Sequence, residues 1–354
     1  MEKQITTNES MGGGFKKYGK TYSNMWKFKD SLTKDNNPLL NRNQKVLELY
    51  SKQPMRKYCK VCNGENHRWE FYSHGVKYYC CNTCGHINGE FEDTEEFTKA
   101  LYESDAIGYG DDYQDVNLQE YNERVDTIYL PKAEFLRDTI CCGDNLQNMR
   151  VVDIGAGAGH NVAAMQKIGF SAVGVEVDQH QVEFASHILP PGSMIYCPSD
   201  KICEYIKTVD ADCISFIYVL EHVQNLVDVF EAFISNANIE YLYFSVPMFS
   251  CSTILESITD RVFPRVLAAE HTHIFTNESI EYICHKYSLQ PIGVWRFGAD
   301  IADLLRTITV ELEMKGNSAL AGILKKQIVP VMDDLQSILD STEFCSDIHI
   351  VLKK

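Results

Sequence analysis

Four cysteines stand in two C-x-x-C pairs whose spacing suits a metal ion: Cys59 and Cys62, then, after eighteen residues, Cys81 and Cys84. Zn²⁺ takes four thiolates tetrahedrally, so two such pairs predict a structural zinc site with no position open for water. The stretch between the pairs alternates like a β-hairpin, which predicts a zinc ribbon over residues 56–90. Cys80 and His86 are potential ligands next to the second pair, so either could replace one of the four cysteines as a ligand. The alternative is four unrelated thiols in a reduced protein.

A second stretch whose residues could bind a ligand is V-V-D-I-G-A-G-A-G-H, residues 151–160. Its β-branched residues predict a short buried strand, and its alternating glycines predict a tight turn before a helix that begins near His160. Glycine permits close approach of a ligand, and the helix N-terminus offers N–H groups to an anionic or carboxylate-bearing ligand. The next strand ends at Glu176, where a carboxylate commonly holds the two ribose hydroxyls of a nucleoside. The alternative is a turn that binds nothing.

The predicted ligand pocket lies at the carboxyl ends of the strands, where ligands bind in parallel sheets. The dinucleotide fingerprint G-x-G-x-x-G would put His160 at its third glycine, so the sequence does not fit it. Ser199 and Asp200 follow the third strand and would serve either as an adenine contact or as a helix N-cap. The predicted cofactor-binding residues are Asp153, Gly155, Ala156, Gly157, Gly159, His160, Glu176, Val177, Ser199, Asp200 and Tyr218.

Three histidines and one glutamate are the candidates for moving a proton: His222, His271, His273 and Glu221. An imidazole with a pKa near ~6.5 suits a general base, and Glu221 would orient it or act as the base itself. The alternative for each histidine is a packing or turn residue with one hydrogen bond. His271 and His273 could also bind a divalent ion, although no carboxylate stands at a spacing that would support them.

Strands and helices that alternate regularly must position these groups. Strands are predicted at 150–154, 172–177, 193–197, 212–219, 240–246, 291–297 and 348–352, and helices at 131–142, 159–168, 179–188, 200–207, 225–236 and 277–288. This alternation implies an α/β fold with parallel pairing through right-handed crossovers. Residues 248–270 are also predicted to be helical. Residues 299–340 are predicted to form an inserted helical pair whose apolar faces pack, cap the pocket or form a homodimer interface.

Composition limits the class of protein. The chain has 354 residues and 45% hydrophobic content, enough for a core domain and an added module. It shows neither a bilayer-length apolar run nor a secretory signal, so we expect a cytoplasmic protein without membrane insertion. Its thirteen cysteines then indicate reduced thiols or metal ligands.

The charge of the chain is unevenly distributed. Residues 1–60 carry 13 Lys/Arg and 5 Asp/Glu, a net charge of +8. The total is −16, so the remainder carries −24. A body this acidic argues against nucleic acid as a partner.

The chain divides into four predicted segments. Residues 1–55 form a basic, partly disordered arm, residues 56–90 the zinc ribbon, residues 91–128 a tyrosine-rich linker or lid, and residues 129–354 the core. The linker is predicted to lie over the mouth of the core domain. The tyrosines of the linker, together with Tyr129 just after it, would line the pocket or be ordinary packing residues. They are Tyr102, Tyr109, Tyr113, Tyr121 and Tyr129.

The turn formed by Asp153, Gly155, Gly157 and Gly159 resembles the D-x-G-x-G-x-G turn of class I S-adenosylmethionine-dependent methyltransferases. The L-E-H run at 220–222 resembles the segment after the fourth strand of that family, and V-P at 246–247 resembles its fifth strand end. The resemblance implies a Rossmann-like seven-stranded sheet whose last strand returns antiparallel between the fifth and sixth. It also implies S-adenosylmethionine as the methyl donor, faced by Glu221 and His222.

The run H-T-H-I-F-T at 271–276 resembles a signature of methyltransferases of sugar and polysaccharide biosynthesis. Together with the zinc ribbon, it makes the chain similar to zinc-containing deoxysugar C-methyltransferases. The resemblance implies a small acceptor, a nucleotide-linked sugar or glycan precursor of polysaccharide or secondary-metabolite biosynthesis, and leaves O- versus C-methylation open.

Two other functions remain as alternatives. One is a zinc-ribbon binding or scaffold protein with an inactive methyltransferase-like core, against which the intact glycine turn and Glu176 count. The other is a peptide or RNA methyltransferase that uses the ribbon to hold its target. The acidic body and the lack of an N-P-P-Y tetrad after the fourth strand count against base N-methylation, while a peptide acceptor stays open.

Overall fold

One large sheet forms the centre of the computed structural model, which describes residues 14–20, 36–65, 67–102, 117–140 and 146–354. The predictions for Tyr109 and Tyr113 lie outside these described residues. The spatial order of the sheet is β1-β11-β12-β9-β8-β5-β6-β7. Its strands are β1 (Phe15–Tyr18), β5 (Arg150–Ile154), β6 (Ser171–Glu176), β7 (Met194–Tyr196), β8 (Cys213–Ile217), β9 (Tyr241–Pro247), β11 (Gln290–Phe297) and β12 (Asp347–Lys353).

The strands from β5 to β9 pair in parallel, and helices connect them. These strands are short, buried and rich in Val and Ile, as parallel strands covered on both faces are. The helices around this part of the sheet are α3 (Leu118–Arg124), α4 (Leu130–Ile140), α5 (His160–Lys167), α6 (Gln179–Ser186), α7 (Ile202–Thr208), α8 (Leu226–Ser235) and α10 (Asn277–Tyr287). For the predicted members of this set the sequence placed each boundary within two residues.

The last strand confirms the predicted fold class. β12 lies antiparallel between β9 and β11, so the sheet is Rossmann-like with one reversed strand. The sheet has eight described strands instead of seven, because β1 pairs in parallel with β11 at the edge. The indole of Trp295 donates to the backbone of Gly19 at 2.9 Å, and the ring of Phe15 packs against Phe135. Part of the predicted arm is therefore a sheet edge, while residues 1–13 and 21–35 lie outside the described residues. The division into four segments stays a prediction.

Two helical predictions were wrong in part. Within residues 248–270 only α9 (Cys251–Glu256) is helical. The chain turns back after it, because the buried carboxylate of Glu256 accepts hydrogen bonds from the backbone N–H groups of Arg265, Val266 and Leu267. The insertion contains three helices instead of two, separated by Gly316 and by a turn at Pro330: α11 (Asp300–Met314), α12 (Ser318–Ile328) and α13 (Met332–Ser341).

Part of the predicted apolar face of the inserted helices is exposed. The side chains of Leu320, Ile323 and Ile338 are 54%, 60% and 63% exposed. At these three positions the expectation that the apolar faces pack within the chain is therefore not met by the described residues. None of the helices in the described ranges has the length and apolar character that crossing a bilayer requires.

A smaller antiparallel sheet contains the cysteine pairs. Its order is β10-β4-β3-β2, formed by β2 (His67–Ser73), β3 (Val76–Cys81), β4 (Ile87–Gly89) and β10 (His273–Ile274). Helices α1 (Asn36–Tyr50) and α2 (Glu95–Tyr102) pack beside it through Tyr50 and Phe97. Cys59, Cys81 and Cys84 belong to the same apolar cluster as Phe216 and Phe244 of the large sheet. We call residues 56–93 with β10 the cysteine module; it shares one core with the large sheet.

Asp300 gives a test of how the inserted helices are attached. Its buried carboxylate accepts hydrogen bonds from Ser252 N–H at 2.9 Å, from Gln336 at 3.2 Å and from Ser346 N–H at 3.0 Å. Asp300→Ala leaves these buried donors without an acceptor and is expected to lower the free energy of unfolding by about 3 kcal/mol. Urea unfolding measures it, with the exposed Asp334→Ala on α13 as the control. Equal losses in both variants would contradict this attachment.

Candidate functional site

The glycine-rich turn after β5 uses its three glycines for different purposes. All three have positive φ: 71° at Gly155, 52° at Gly157 and 75° at Gly159. A Cβ at Gly155 would lie 2.6 Å from Val219, and one at Gly159 would lie 2.6 Å from Leu189, so these two positions allow close packing. A Cβ at Gly157 would meet no atom within 4 Å. Gly157 therefore presents bare backbone to open space, as a ligand-binding turn does.

That open space is a cleft of about 340 Å³ at the carboxyl ends of β5, β6 and β8. Its lining residues are Tyr129, Asp153, Gly155, Ala156, Gly157, Ala158, His160, Asn161, Glu176, Val177, Asp178, Gln181, Ile217 and Tyr218. The cleft lies where the strand order reverses from β5-β6 to β5-β8, which is the topological switch point.

Glu176 holds the glycine turn and faces the cleft. One carboxylate oxygen accepts from the N–H of Gly157 at 2.7 Å, and the other accepts from Val177 at 2.7 Å and Asp178 at 3.0 Å. Burial raises the pKa of Glu176, and these three N–H groups oppose the shift. A carboxylate with fixed orientation beside Gly157 is the arrangement that accepts hydrogen bonds from two ribose hydroxyls.

Asp153 is a second buried acid at the base of the cleft. It is 2% exposed, and its Oδ1 accepts a hydrogen bond of 2.5 Å from Ser215 on β8. Burial raises its pKa to about 6, opposed by hydrogen bonds from Ser215 and Asn161. The nearby Lys132 ammonium also opposes the shift.

Aromatic rings close the opposite side of the cleft. The His160 ring stacks on Tyr121 at 4.2 Å and on Tyr129 at 5.3 Å between centroids. Burial lowers the pKa of His160 to about 3, so the imidazole is neutral at pH 7. The buried ammonium of Lys132 lies over Tyr129 at 4.4 Å and over Tyr218 at 4.9 Å. Of the predicted tyrosines, Tyr129 lines the pocket, whereas Tyr121 is buried against His160 and is not a lining residue. A π-helical turn at Val125–Tyr129 interrupts the helix that carries Tyr129.

Most of the predicted cofactor-binding residues meet in this cleft. The exceptions are Gly159, which packs at the start of α5, and Ser199 and Asp200, which are exposed and are not among the lining residues. The lining residues beyond the predicted cofactor contacts are Tyr129, which was predicted to line the pocket or be an ordinary packing residue, and Ala158, Asn161, Asp178, Gln181 and Ile217. The tyrosine-rich linker was the available signal for Tyr129, and adjacency to the glycine turn was the signal for Asn161.

Three of the four predicted proton-transfer residues form a cluster beyond Tyr218. The ligand atoms of Glu221, His222 and His271 all lie within 4.8 Å of one another, and the two imidazole centroids are 4.9 Å apart. Burial raises the pKa of Glu221 to about 8 and lowers the pKa of His222 well below its ordinary value. At pH 7 His222 is therefore unprotonated.

His273 lies elsewhere. It is fully buried on β10, and its Nδ1 pairs with Nε2 of His86 at 2.9 Å. It is not one of the three clustered residues, so its geometry favours the packing alternative. His86 is held by this pair and is not a thiolate neighbour, which also argues against His86 as a replacement ligand.

The four predicted cysteines come together as expected. Their sulfurs lie within 4.8 Å of one another, with 3.5 Å between Cys59 and Cys84 and 3.4 Å between Cys62 and Cys81. Tetrahedral Zn–S bonds of about 2.3 Å place sulfurs about 3.8 Å apart, so this donor set fits Zn²⁺. The neighbouring Cys80 points its sulfur at the carbonyl of Gly85 at 3.3 Å instead.

A buried salt bridge connects the cysteine module with both histidine loops. Lys60, inside the first C-x-x-C, pairs with Asp93 and donates to the carbonyl of Val223 at 2.7 Å. Asp93 also accepts from Arg56 at 2.9 Å and from Thr272 at 3.2 Å. Val223 follows His222 and Thr272 follows His271, so this network fixes the backbone beside each imidazole.

Asp153→Asn tests the charge balance of the cleft. Burial raises the pKa of Asp153 to about 6 from an ordinary 3.8, so the folded chain favours the neutral acid. Wild-type stability without ligand should fall as pH rises from about 4 through 6 and level off above that. The isosteric Asp153→Asn lacks this loss, so its advantage should grow with pH to about 3 kcal/mol at pH 8.

Urea unfolding at pH 4, 6 and 8 measures this difference. The exposed Asp200→Asn serves as the control and should track the wild type. A difference between Asp153→Asn and wild type that does not change with pH would contradict the assignment.

Comparison with known proteins agrees with the site. Residues 121–293 match a family model described as "Methyltransferase domain", a span just under half of the chain. No curated protein sequence matches the chain.

Solved structures similar to the chain include a SAM dependent methyltransferase from Archaeoglobus fulgidus, with 13% identity, a TM-score of 0.41 and coverage of 66% of this chain and 98% of that one. The plantazolicin methyltransferase in complex with SAH gives 13% identity, a TM-score of 0.42 and coverage of 73% and 93%. Phosphoethanolamine N-methyltransferase 2 of Haemonchus contortus gives 15% identity, a TM-score of 0.44 and coverage of 76% of this chain and 62% of that one. By the family match, residues 121–293 are therefore similar to a methyltransferase domain.

Proposed function

We propose that the protein transfers a methyl group from S-adenosylmethionine to a small acceptor, most specifically a nucleotide-linked sugar or a glycan precursor. The observation that carries the donor assignment is the pairing of Glu176 with the bare backbone of Gly157 at the edge of the cleft. The sugar acceptor is supported by the sequence resemblance alone and is the finer part of the proposal.

The residues of the cleft suit each part of the donor. Glu176 would accept from the ribose hydroxyls, and the buried Asp153 would balance positive charge. The cofactor, when bound, supplies an electrophilic methyl group on a sulfonium. The stacked Tyr121 and His160 exclude water from one wall. Ser199 and Asp200 stay predicted adenine contacts that would need the loop after β7 to approach the ligand.

His222 is the proposed general base. Its low pKa leaves the imidazole unprotonated at pH 7, and its Nε2 lies 4.0 Å from Glu221 Oε1. His271 stands beside it, 4.9 Å between ring centroids, and is the second candidate. Proton acceptance by this group is required whether the acceptor atom is a hydroxyl oxygen or a carbon next to a carbonyl, so the cluster is compatible with O- and C-methylation alike.

We propose that Zn²⁺ occupies the four-cysteine site. The support is the sulfur geometry and the closed, thiolate-only donor set, which gives a structural role. Through Lys60 and Asp93 that role extends to the loops of His222 and His271. Homodimer formation stays a prediction, compatible with the exposed Leu320 and Ile323, and so does a cytoplasmic location.

Titration with S-adenosylhomocysteine tests the donor site. Isothermal calorimetry on the zinc-replete protein should give one-to-one binding at micromolar affinity. Glu176→Ala removes the carboxylate that orients the glycine turn and the ribose, so its affinity should fall at least 30-fold, about 2 kcal/mol. Glu183→Ala, which removes an exposed acid on α6, is the matched control.

Equal affinity in wild type, Glu176→Ala and Glu183→Ala would overturn the site assignment. No binding at all by the folded wild type would favour the scaffold alternative. If binding holds, methyl transfer assayed with nucleotide-sugars, peptides and RNA separates the proposed acceptor from the other two classes.

A further inference from the structure

Glu221, His222 and His271 form a donor set that suits a metal ion. Their ligand atoms, one carboxylate oxygen and two imidazole nitrogens, lie within 4.8 Å of one another. Three donors around a divalent ion at bond lengths of about 2.0–2.2 Å are separated by about 3–4 Å, so small side-chain shifts would close the site. The carboxylate comes from the turn after β8 and the second imidazole from the loop before β10, about fifty residues later along the chain.

The carboxylate of Glu221 supplies an independent indication of a ligand. Glu221 is 1% exposed, and its Oε2 has no hydrogen-bond partner among the described residues. A buried carboxylate oxygen without a donor is costly, and such groups are ordinarily paired or bound to a metal. The nearest imidazole nitrogen of His222 lies 4.0 Å from the other oxygen, Oε1, too far for a hydrogen bond.

Both imidazoles are already oriented by backbone carbonyls. Nδ1 of His271 bonds to the carbonyl of Val266 at 2.9 Å, and the ring of His222 bonds to the backbone of Glu270. A histidine that ligates a metal typically uses its second ring nitrogen in this way, which fixes the tautomer and the ring plane. The neighbouring Lys60 ammonium would repel a cation, but Asp93 pairs with it directly.

We propose that Glu221, His222 and His271 bind a divalent transition-metal ion, separate from the ion of the four-cysteine site. Two imidazoles and one carboxylate favour Mn²⁺, Fe²⁺, Co²⁺ or Zn²⁺ over Mg²⁺ or Ca²⁺, and they leave coordination positions open. His222 and His271 are both partly exposed, so these open positions face solvent and can take an oxygen atom of a ligand.

Binding of the ion does not depend on the methyltransferase proposal, but its role does. An ion at this place would hold an acceptor hydroxyl beside the cleft and lower the pKa of that hydroxyl. A metal-bound imidazole does not accept a proton. In the metal-loaded protein the ion, instead of His222 acting as a base, would therefore promote loss of the acceptor's proton.

Mn²⁺ alone is the probe that tests the site. Mn²⁺ is the weakest binder of the first-row series and prefers oxygen and nitrogen donors, so it leaves a zinc-filled thiolate site untouched. In zinc-replete protein, the loss of the free Mn²⁺ electron paramagnetic resonance signal should show one Mn²⁺ bound per chain. His271→Ala and Glu221→Gln should each weaken binding at least about 100-fold, since even indirect partners of ligands commonly contribute 10–100-fold.

His187→Ala is the matched control, because His187 is exposed and its Nδ1 also bonds to a backbone carbonyl, that of Glu183. It should bind Mn²⁺ as the wild type does. Absence of bound Mn²⁺ in the wild type, or equal binding by all variants, would overturn the proposal. Glu221→Gln keeps the shape of the side chain, so it gives the answer if His271→Ala does not fold.

S-adenosylhomocysteine titration of the same preparations separates this proposal from the donor site. Loss of Mn²⁺ binding with unchanged S-adenosylhomocysteine affinity in Glu221→Gln is the expected pattern. A wild-type protein that binds S-adenosylhomocysteine but no Mn²⁺ would refute the metal site and leave the proposed function standing.

Discussion

The arrangement of the two sheets depends on the buried ion pairs that Asp93 makes with Arg56 and Lys60. Asp93 is 4% exposed and neutralises these two cations, which are themselves almost completely buried. Burial by itself would raise the pKa of Asp93, and the two cations lower it. Burial also lowers the pKa of Lys60 to about 8, with Asp93 opposing the shift. Removing one member of such a group leaves an uncompensated charge and typically costs about 3–5 kcal/mol.

This network connects the cysteine module with the cluster of Glu221, His222 and His271. Lys60 lies between Cys59 and Cys62, so whatever holds the first thiolate pair also holds the Lys60 ammonium in place. That ammonium bonds to Val223, next to His222, while Asp93 accepts from Thr272, next to His271. The two imidazoles sit on loops that are far apart in sequence. The cysteine module contacts both loops and so sets their separation, which is the geometry that either a general base or a metal site requires.

Local chemistry was readable from the sequence, and contacts between distant segments were not. The glycine turn, Glu176 and the four cysteines depend on spacing within short stretches, and the structure brings each set together. Strand β1 escaped prediction because four residues at a sheet edge carry no periodic signal; only the tertiary contact of Gly19 with Trp295 fixes them. The 248–270 helix was wrong because the buried Glu256 carboxylate draws the backbone of 265–267 into a turn, a long-range contact.

The histidines show the same limit. His271 lies in the loop before β10, beside Glu221 and His222, whereas His273 is on β10 and pairs with His86. In the sequence the two histidines are equivalent candidates, and no carboxylate stands at a spacing that would support a metal ion. The carboxylate is Glu221, and only the packing of the cysteine module against the turn after β8 brings it into reach.

Amide hydrogen exchange of Lys60→Met, measured by mass spectrometry, tests most directly whether the cysteine module positions the loops that carry His222 and His271. Removing the ammonium should speed exchange in peptides that cover residues 219–224 and 268–274, because Val223 loses its donor and Asp93 its main partner. Peptides that cover the glycine turn at 150–160 should exchange as in the wild type. Faster exchange confined to residues 56–64, with both histidine loops unchanged, would contradict the account.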